Sequence, residues 1–232
     1  MLVNNIDILK INNATLTGRD IQACNIVNFD EWLESSFNPH LNKQKESYSA
    51  ITVTLLIEGI SEDDVLLKIS NIIAICKNGN LKFNDLNSIY NVILEKHQEK
   101  LVSEQSYELT LNFKSTFKLG EEIDISINRV TSKIIDILGN TKTPCILEIT
   151  PVIDMIDLKI NGVSEDPLII RNLKGNKTII IDGIEGTVIQ DGINKFADTD
   201  MWEFPFLVPG KNNITLSKDT CNITIKYNPR YI

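Results

Sequence analysis

Histidine is nearly absent, with His40 and His97 the only two among 232 residues. Two isolated imidazoles far apart in sequence are poor material for a Ser-His-Asp triad or a histidine-rich metal centre. The other marks of chemistry are missing as well: there is no G-x-G-x-x-G turn, no Walker loop and no G-x-S-x-G elbow, so no cofactor is expected. The four cysteines, Cys24, Cys76, Cys145 and Cys221, are widely spaced and form no C-x-x-C pair. They are expected as buried free thiols, since a chain of this length does not need disulfide staples. No run of eighteen apolar residues occurs, which leaves no candidate membrane-spanning helix. Met1–Leu9 has neither a basic flank nor an unbroken apolar core, so synthesis and folding in the cytoplasm are expected. Positive charge is also short: 23 basic against 31 acidic residues give a net charge of -8. With no basic run to neutralise successive phosphates, sequence-specific nucleic-acid binding is not expected.

Acidic residues are plentiful, and Asp182, Asp191, Asp198 and Asp200 fall near turns. They lack the spacing of a calcium loop and are expected as solvated turn residues. Paired carboxylates for glycoside hydrolysis find no accompanying aromatic cleft in the sequence. The expectation is therefore a non-enzymatic protein. Apolar residues make up 42% of the chain, enough for an ordinary globular core.

Period decides the organisation. Met1 to Ile26 reads as short strands with a bend at Gly18-Arg19-Asp20. From about Phe29 to Ser49, Trp32, Phe37 and Tyr48 are scattered among polar residues including His40, with no period that buries one face. Such a stretch is a mobile loop or an extended arm that orders against something else. Ala50–Ile57 alternates as a strand and Gly59 ends it. Ser61 then opens the clearest helix: Glu62, Asp63 and Asp64 set negative charge at its N-terminus, and Val65, Ile69, Ile72 and Cys76 recur on one face, widened by Leu66 and Ile73. Lys77-Asn78-Gly79 stops it. Leu81–Phe83, Ile89–Leu94 and Tyr107–Phe113 follow as strands, and the pattern weakens between Gly120 and Asn140. A domain boundary is placed near residue 130, dividing 1–130 from 131–232.

The second part contains seven or eight short apolar runs separated by turn chemistry, with Asn161-Gly162, Asp182-Gly183 and Asp191-Gly192 as hairpin signals. That spacing predicts a β-sandwich or barrel. Its densest cluster runs from Met201 to Ile214. Trp202, Phe204 and Phe206 share one face of an extended segment and are expected to anchor the sandwich core, a ligand-facing aromatic surface being the alternative. Pro205 and Pro209 remove ladder donors, and Pro209-Gly210 turns the chain into a strand beginning at Asn213.

The run from Gly175 to Tyr231, above all Met201-Trp202-Glu203-Phe204-Pro205, Leu207, Pro209-Gly210 and Asn213-Ile214, resembles the C-terminal domain of the distal tail proteins of long-tailed bacteriophages. More loosely, Ile51 to Gly59, the helix from Ser61 and the strand ending near Phe113 resemble the ring-forming domain of that family. The resemblance implies a mainly β fold with a minor helix: an N-terminal β-rich ring-forming domain with a belt-like arm at about 29–49, then a galectin-like β-sandwich. In function it implies a homohexameric hub joining the tail tube to the baseplate or tail tip, in an infectious phage, a prophage or a tail-like particle. The implied partners are further copies of itself, the tail tube protein, a tail tip or tail-associated lysin protein, and a receptor-binding protein, with no membrane. The chain has no room for the inserted carbohydrate-binding modules of longer relatives, which weighs against direct host recognition. A carbohydrate-binding module or host-surface adhesion protein is the competing reading, distinguished by a monomer with an exposed aromatic platform.

Overall fold

The computed structural model describes all 232 residues. They divide into two compact units, Met1–Leu119 with Ile232, and Gly120–Tyr231.

The N-terminal unit is built on one antiparallel sheet. Its main strands are β1 (Ala14–Ile21), β4 (Ser49–Glu58), β5 (Asn78–Lys82), β6 (Ile89–Ser103) and β7 (Ser106–Leu119), while β2 (Ile26–Glu31) and β3 (His40–Glu46) stand apart as a ribbon of their own. Leu2–Val3 pairs with β5, and from there the order runs β5-β6-β7-β4-β1. In β4 the alternation is clean: Ile51, Val53, Leu55 and Ile57 are fully buried. They meet Leu109, Leu111 and Phe113 of β7 and the inner face of helix α1 (Glu62–Cys76) in one apolar cluster. The helix forms as its sequence requires. Ser61 stays extended and its hydroxyl accepts from the Asp64 N–H at 3.3 Å, satisfying one of the donors a helix start leaves free. Val65, Ile69, Ile72 and Cys76 are its buried residues. Leu66, expected to widen that face, is exposed instead, whereas Ile73 packs against the cluster. After Lys77 the chain turns through Gly79, whose φ of +141° is open to glycine; a Cβ there would also strike the Asn4 amide.

Two local expectations need correction. Gly18 does not bend the chain: β1 runs through it and the irregularity is a bulge between Leu16 and Gly18, where the ladder with β4 absorbs one extra residue. The polar run Glu95–Lys100 is also strand, because β6 continues to Ser103 paired with β7. Both flanks of this length are wet, so no apolar alternation announced it.

The C-terminal unit is a sandwich. One sheet has the order β8 (Ile123–Asn128), β16 (Cys221–Tyr227), β10 (Ile146–Pro151), β13 (Ile179–Asp182), β14 (Thr187–Gln190), closed by Ile193–Asn194. The other has β9 (Ser132–Ile137), β15 (Gly210–Leu216), β11 (Met155–Asn161), β12 (Leu168–Leu173) and Thr199–Asp200. Inward residues of both sheets, among them Leu147, Ile149, Leu158, Ile160, Ile223 and Ile225, form a single buried cluster. Because β8 pairs with β16 along Ile123–Asn128, the chain enters this unit before the break expected near residue 130. Of the three hairpin signals, Asp191-Gly192 is the tight one: both residues have positive φ, and Gln190 pairs with Ile193 across them. Asp182-Gly183 works differently. The Asp182 carboxylate accepts the Ile184 and Glu185 N–H groups, and Gly183 is needed because a Cβ there would sit 2.7 Å from the Cys145 carbonyl oxygen and nearer still to that of Pro205.

Candidate functional site

The ribbon is the most unusual feature of the N-terminal unit. Strands β2 and β3 pair only with each other, and every residue in both is exposed. Their register runs from Ile26 opposite Glu46 to Glu31 opposite His40, with a shift between Phe29 and Asp30. Alternation places Val27 and Phe29 on the same face as their partners Lys45 and Lys43, and Asn28 on the other, where the Gln44 side-chain amide donates to the Asn28 oxygen at 2.9 Å. At the far end the turn holds Trp32, Leu33 and Phe37, the last 97% exposed. A ribbon without any buried face gains almost nothing from its own apolar residues, so these side chains are held in water at a cost unless another surface covers them.

The root is fastened by a few backbone bonds: the Gln22 N–H donates to the Ala50 carbonyl at 2.9 Å and the Ser47 N–H to the Asn25 carbonyl at 2.7 Å. Beneath it lies a crevice of about 470 Å3 lined by Val27, Phe29, Lys45, Tyr48 and Thr116, among others. Tyr48 belongs to this root and not to the projecting part; the Lys114 ammonium lies 5.8 Å from its ring centre. Of the residues singled out in sequence, Trp32, Phe37 and His40 therefore share the ribbon, with Tyr48 at its base. Ile26, Val27, Phe29 and Leu41 were not singled out, though each is an exposed apolar residue of the same ribbon. The available signal was alternation of Val27 and Phe29 with polar residues, facing lysines eighteen and fourteen positions on in the chain.

The Trp202 segment overturns an expectation. Trp202 is 88% exposed and anchors no core. Met201–Pro205 is bent and not extended, so the two-residue period that grouped Trp202 with Phe204 and Phe206 does not operate; only Phe206–Leu207 is strand, paired with Thr143–Pro144. The buried members are Pro205 and Leu207. Phe204 is half-buried against the sandwich core and 6.0 Å from the Phe196 ring, and Phe206 lies half-buried under the Lys142 ammonium at 4.5 Å. Pro209 and Gly210 make the turn as read, Gly210 at a φ of +91°, but it is Asn212 that ties it, donating to the carbonyls of Val208 and Gly210. Asn213 lies in β15, not at its start, exposed and accepting from the Ser132 hydroxyl at 3.0 Å.

The titratable groups are engaged in structure. Asp191 pairs with Lys177 at 2.8 Å, Asp198 with Lys195 at 2.9 Å and Asp200 with Arg171 at 3.2 Å. No three His, Cys, Asp or Glu side chains converge as metal ligands would. His40 and His97 lie on different elements, β3 and β6, and both are exposed. Burial pushes the Cys76 thiol up to about 12 and raises Cys145 and Cys221 as well, which makes all three poor nucleophiles.

Residues 138–231 match the family described as siphovirus-type tail component, C-terminal domain. No curated protein matches the sequence. Among solved structures, the Dit protein of phage SPP1, described as a paradigm of the hub adsorption apparatus in phages infecting Gram-positive hosts, superposes with a TM-score of 0.82 at 11% identity, covering 100% of this chain and 98% of that one. The phage P2 baseplate in its activated conformation, solved with calcium, gives a TM-score of 0.56 at 9% identity over 94% of this chain and 91% of the other, and its strontium form gives 0.55. Residues 138–231 are thus similar in sequence to the C-terminal domain of siphovirus-type tail components, and the chain shares its fold along the whole length with the SPP1 Dit protein.

Proposed function

We propose that this protein is a structural hub of a long-tailed phage or tail-like particle, six copies closing a ring that joins the tail tube to the baseplate or tail tip. The observation that carries the reading is the ribbon: an ordered arm whose apolar residues its own unit does not cover. A head-to-tail ring covers them, since each copy donates one arm and receives another and no end is left open. The main sheet supports the same arrangement. Its last strand, β1, has a free outer edge, and β5 covers only Ile89–Ile93 of β6, leaving the edge from Glu95 to Ser103 unpaired on that side. Open edges at both sides of one sheet suit repeated sideways addition of identical copies. The face turned away from α1 carries Thr52, Thr54, Thr110 and Asn112, with the Thr52 hydroxyl donating to Asn112 at 3.1 Å.

In this reading the partners are further copies, the tail tube protein and a tip component or receptor-binding protein, and the protein resides in the virion tail. The test is solution mass together with negative-stain class averages, for the full chain and for a variant whose residues 29–45 are replaced by a short Gly/Ser link. Six-membered rings from the parent and none from the variant are expected; rings that persist without the arm refute its role. The exposed Trp202 favours a second reading, a glycan-binding surface on the sandwich. Glycan-array binding lost in Trp202→Ala, by a parent chain that stays monomeric on tail tubes, would establish that reading in place of the hub.

A further inference from the structure

Resting on the ring reading, we infer that Phe37 at the ribbon tip of one copy seats in the crevice at the ribbon root of the next. The donor is a ring almost wholly in water, 97% exposed, on the exposed turn at the ribbon tip. The acceptor is a cavity of about 470 Å3 on the same unit, walled by Val27, Phe29 and Tyr48 and edged by Lys45 and Glu46. One copy cannot satisfy itself. Phe29 lines the crevice, and β2 continues away from it to Glu31 before the turn begins, so Phe37 lies at the far end of the ribbon from its own crevice.

Charge gives the contact its direction. From Asp30 to His40 the tip carries Asp30, Glu31 and Glu34 and no lysine or arginine. The root presents Lys43 and Lys45 on the crevice-side face against the single carboxylate of Glu46, while Lys114 beside Tyr48 is already paired with Glu95 at 2.7 Å. With Lys43 and Lys45 outnumbering Glu46, an acidic tip meeting this root is attractive between copies, whereas tip against tip is repulsive, so the charges favour head-to-tail association over a tip-to-tip pair. Repeated around an axis, such a contact closes a ring.

The test uses the full chain with Cys24→Ser, so that no native half-exposed thiol interferes, carrying Phe37→Cys and Thr116→Cys. Mild oxidation should yield a ladder of covalent oligomers ending at the ring size. Each single-cysteine variant should yield no such ladder. Separately, Phe37→Ser should raise the concentration for half-assembly at least tenfold, Lys45→Glu should do likewise, and combining Lys45→Glu with Glu34→Lys should restore assembly. Rings that form from the double-cysteine chain without cross-linking, together with unchanged assembly of Phe37→Ser, overturn this contact and leave the ring standing. A parent chain that stays monomeric at every concentration and on tail tubes removes the ring and this contact together.

Discussion

Replacing Trp202 by alanine should leave the C-terminal unit almost as stable as before. A tryptophan buries at most roughly 250 Å2 of side-chain surface when fully enclosed. Here 88% of the residue remains in water, so about one-eighth of that area is removed from solvent. At about 25 cal/mol per Å2 the loss comes to ~0.8 kcal/mol, with no cavity to add because the indole fills none. Leu207, five residues on, is fully buried, and its change to alanine should cost about 2–5 kcal/mol from lost transfer energy and an unfilled space. The two substitutions thus differ severalfold although both fall in one short segment. Urea unfolding of the full chain, followed by far-UV circular dichroism, reads both; the transition belonging to the C-terminal unit is fixed by the Leu207→Ala variant. A loss of more than about 2 kcal/mol for Trp202→Ala would refute the exposed placement of the ring.

Three further outcomes follow from the geometry. Ser61→Ala should destabilise the N-terminal unit by about 1 kcal/mol through the lost cap, and Ile72→Ala by about 2–5 kcal/mol through the core, both measured by denaturant midpoint at unchanged slope. Under native conditions a maleimide should label Cys24 alone, since Cys76, Cys145 and Cys221 are buried and burial raises their thiols; mass spectrometry showing more than one adduct on folded protein would contradict this. The Arg19 guanidinium, hydrogen-bonded to both Asp85 oxygens, holds that carboxyl below its usual range. Its contribution is therefore complete above the unfolded carboxylate value near pH ~4 and fades as pH falls through the lower folded value, so Arg19→Gln should flatten the acid limb of the N-terminal unit's stability profile.

The sequence by itself determined those parts in which one face is buried and local. Helix α1 was legible from cap to stop because Ser61, the acidic first turn and Val65, Ile69, Ile72 and Cys76 all act within one element. The sandwich strands were legible for the same reason, since alternation shows wherever a sheet has one dry side, and β16 with Cys221, Ile223, Ile225 and Tyr227 turned inward is the clearest case. The unpatterned stretch with Trp32 and Phe37 stood out through lack of period, but its pairing as a ribbon did not, because neither face of β2 or β3 is buried within this chain. Length was lost in β6 for the same reason. Trp202 failed in the opposite direction: an apparent period of two suggested burial, and only the bend at Met201–Pro205 decided which of the neighbouring apolar residues turn inward. Periodicity records which side of an element is dry. It is silent where both sides are wet, and where the backbone leaves the extended form the count no longer maps onto a face; there only the tertiary fold decides.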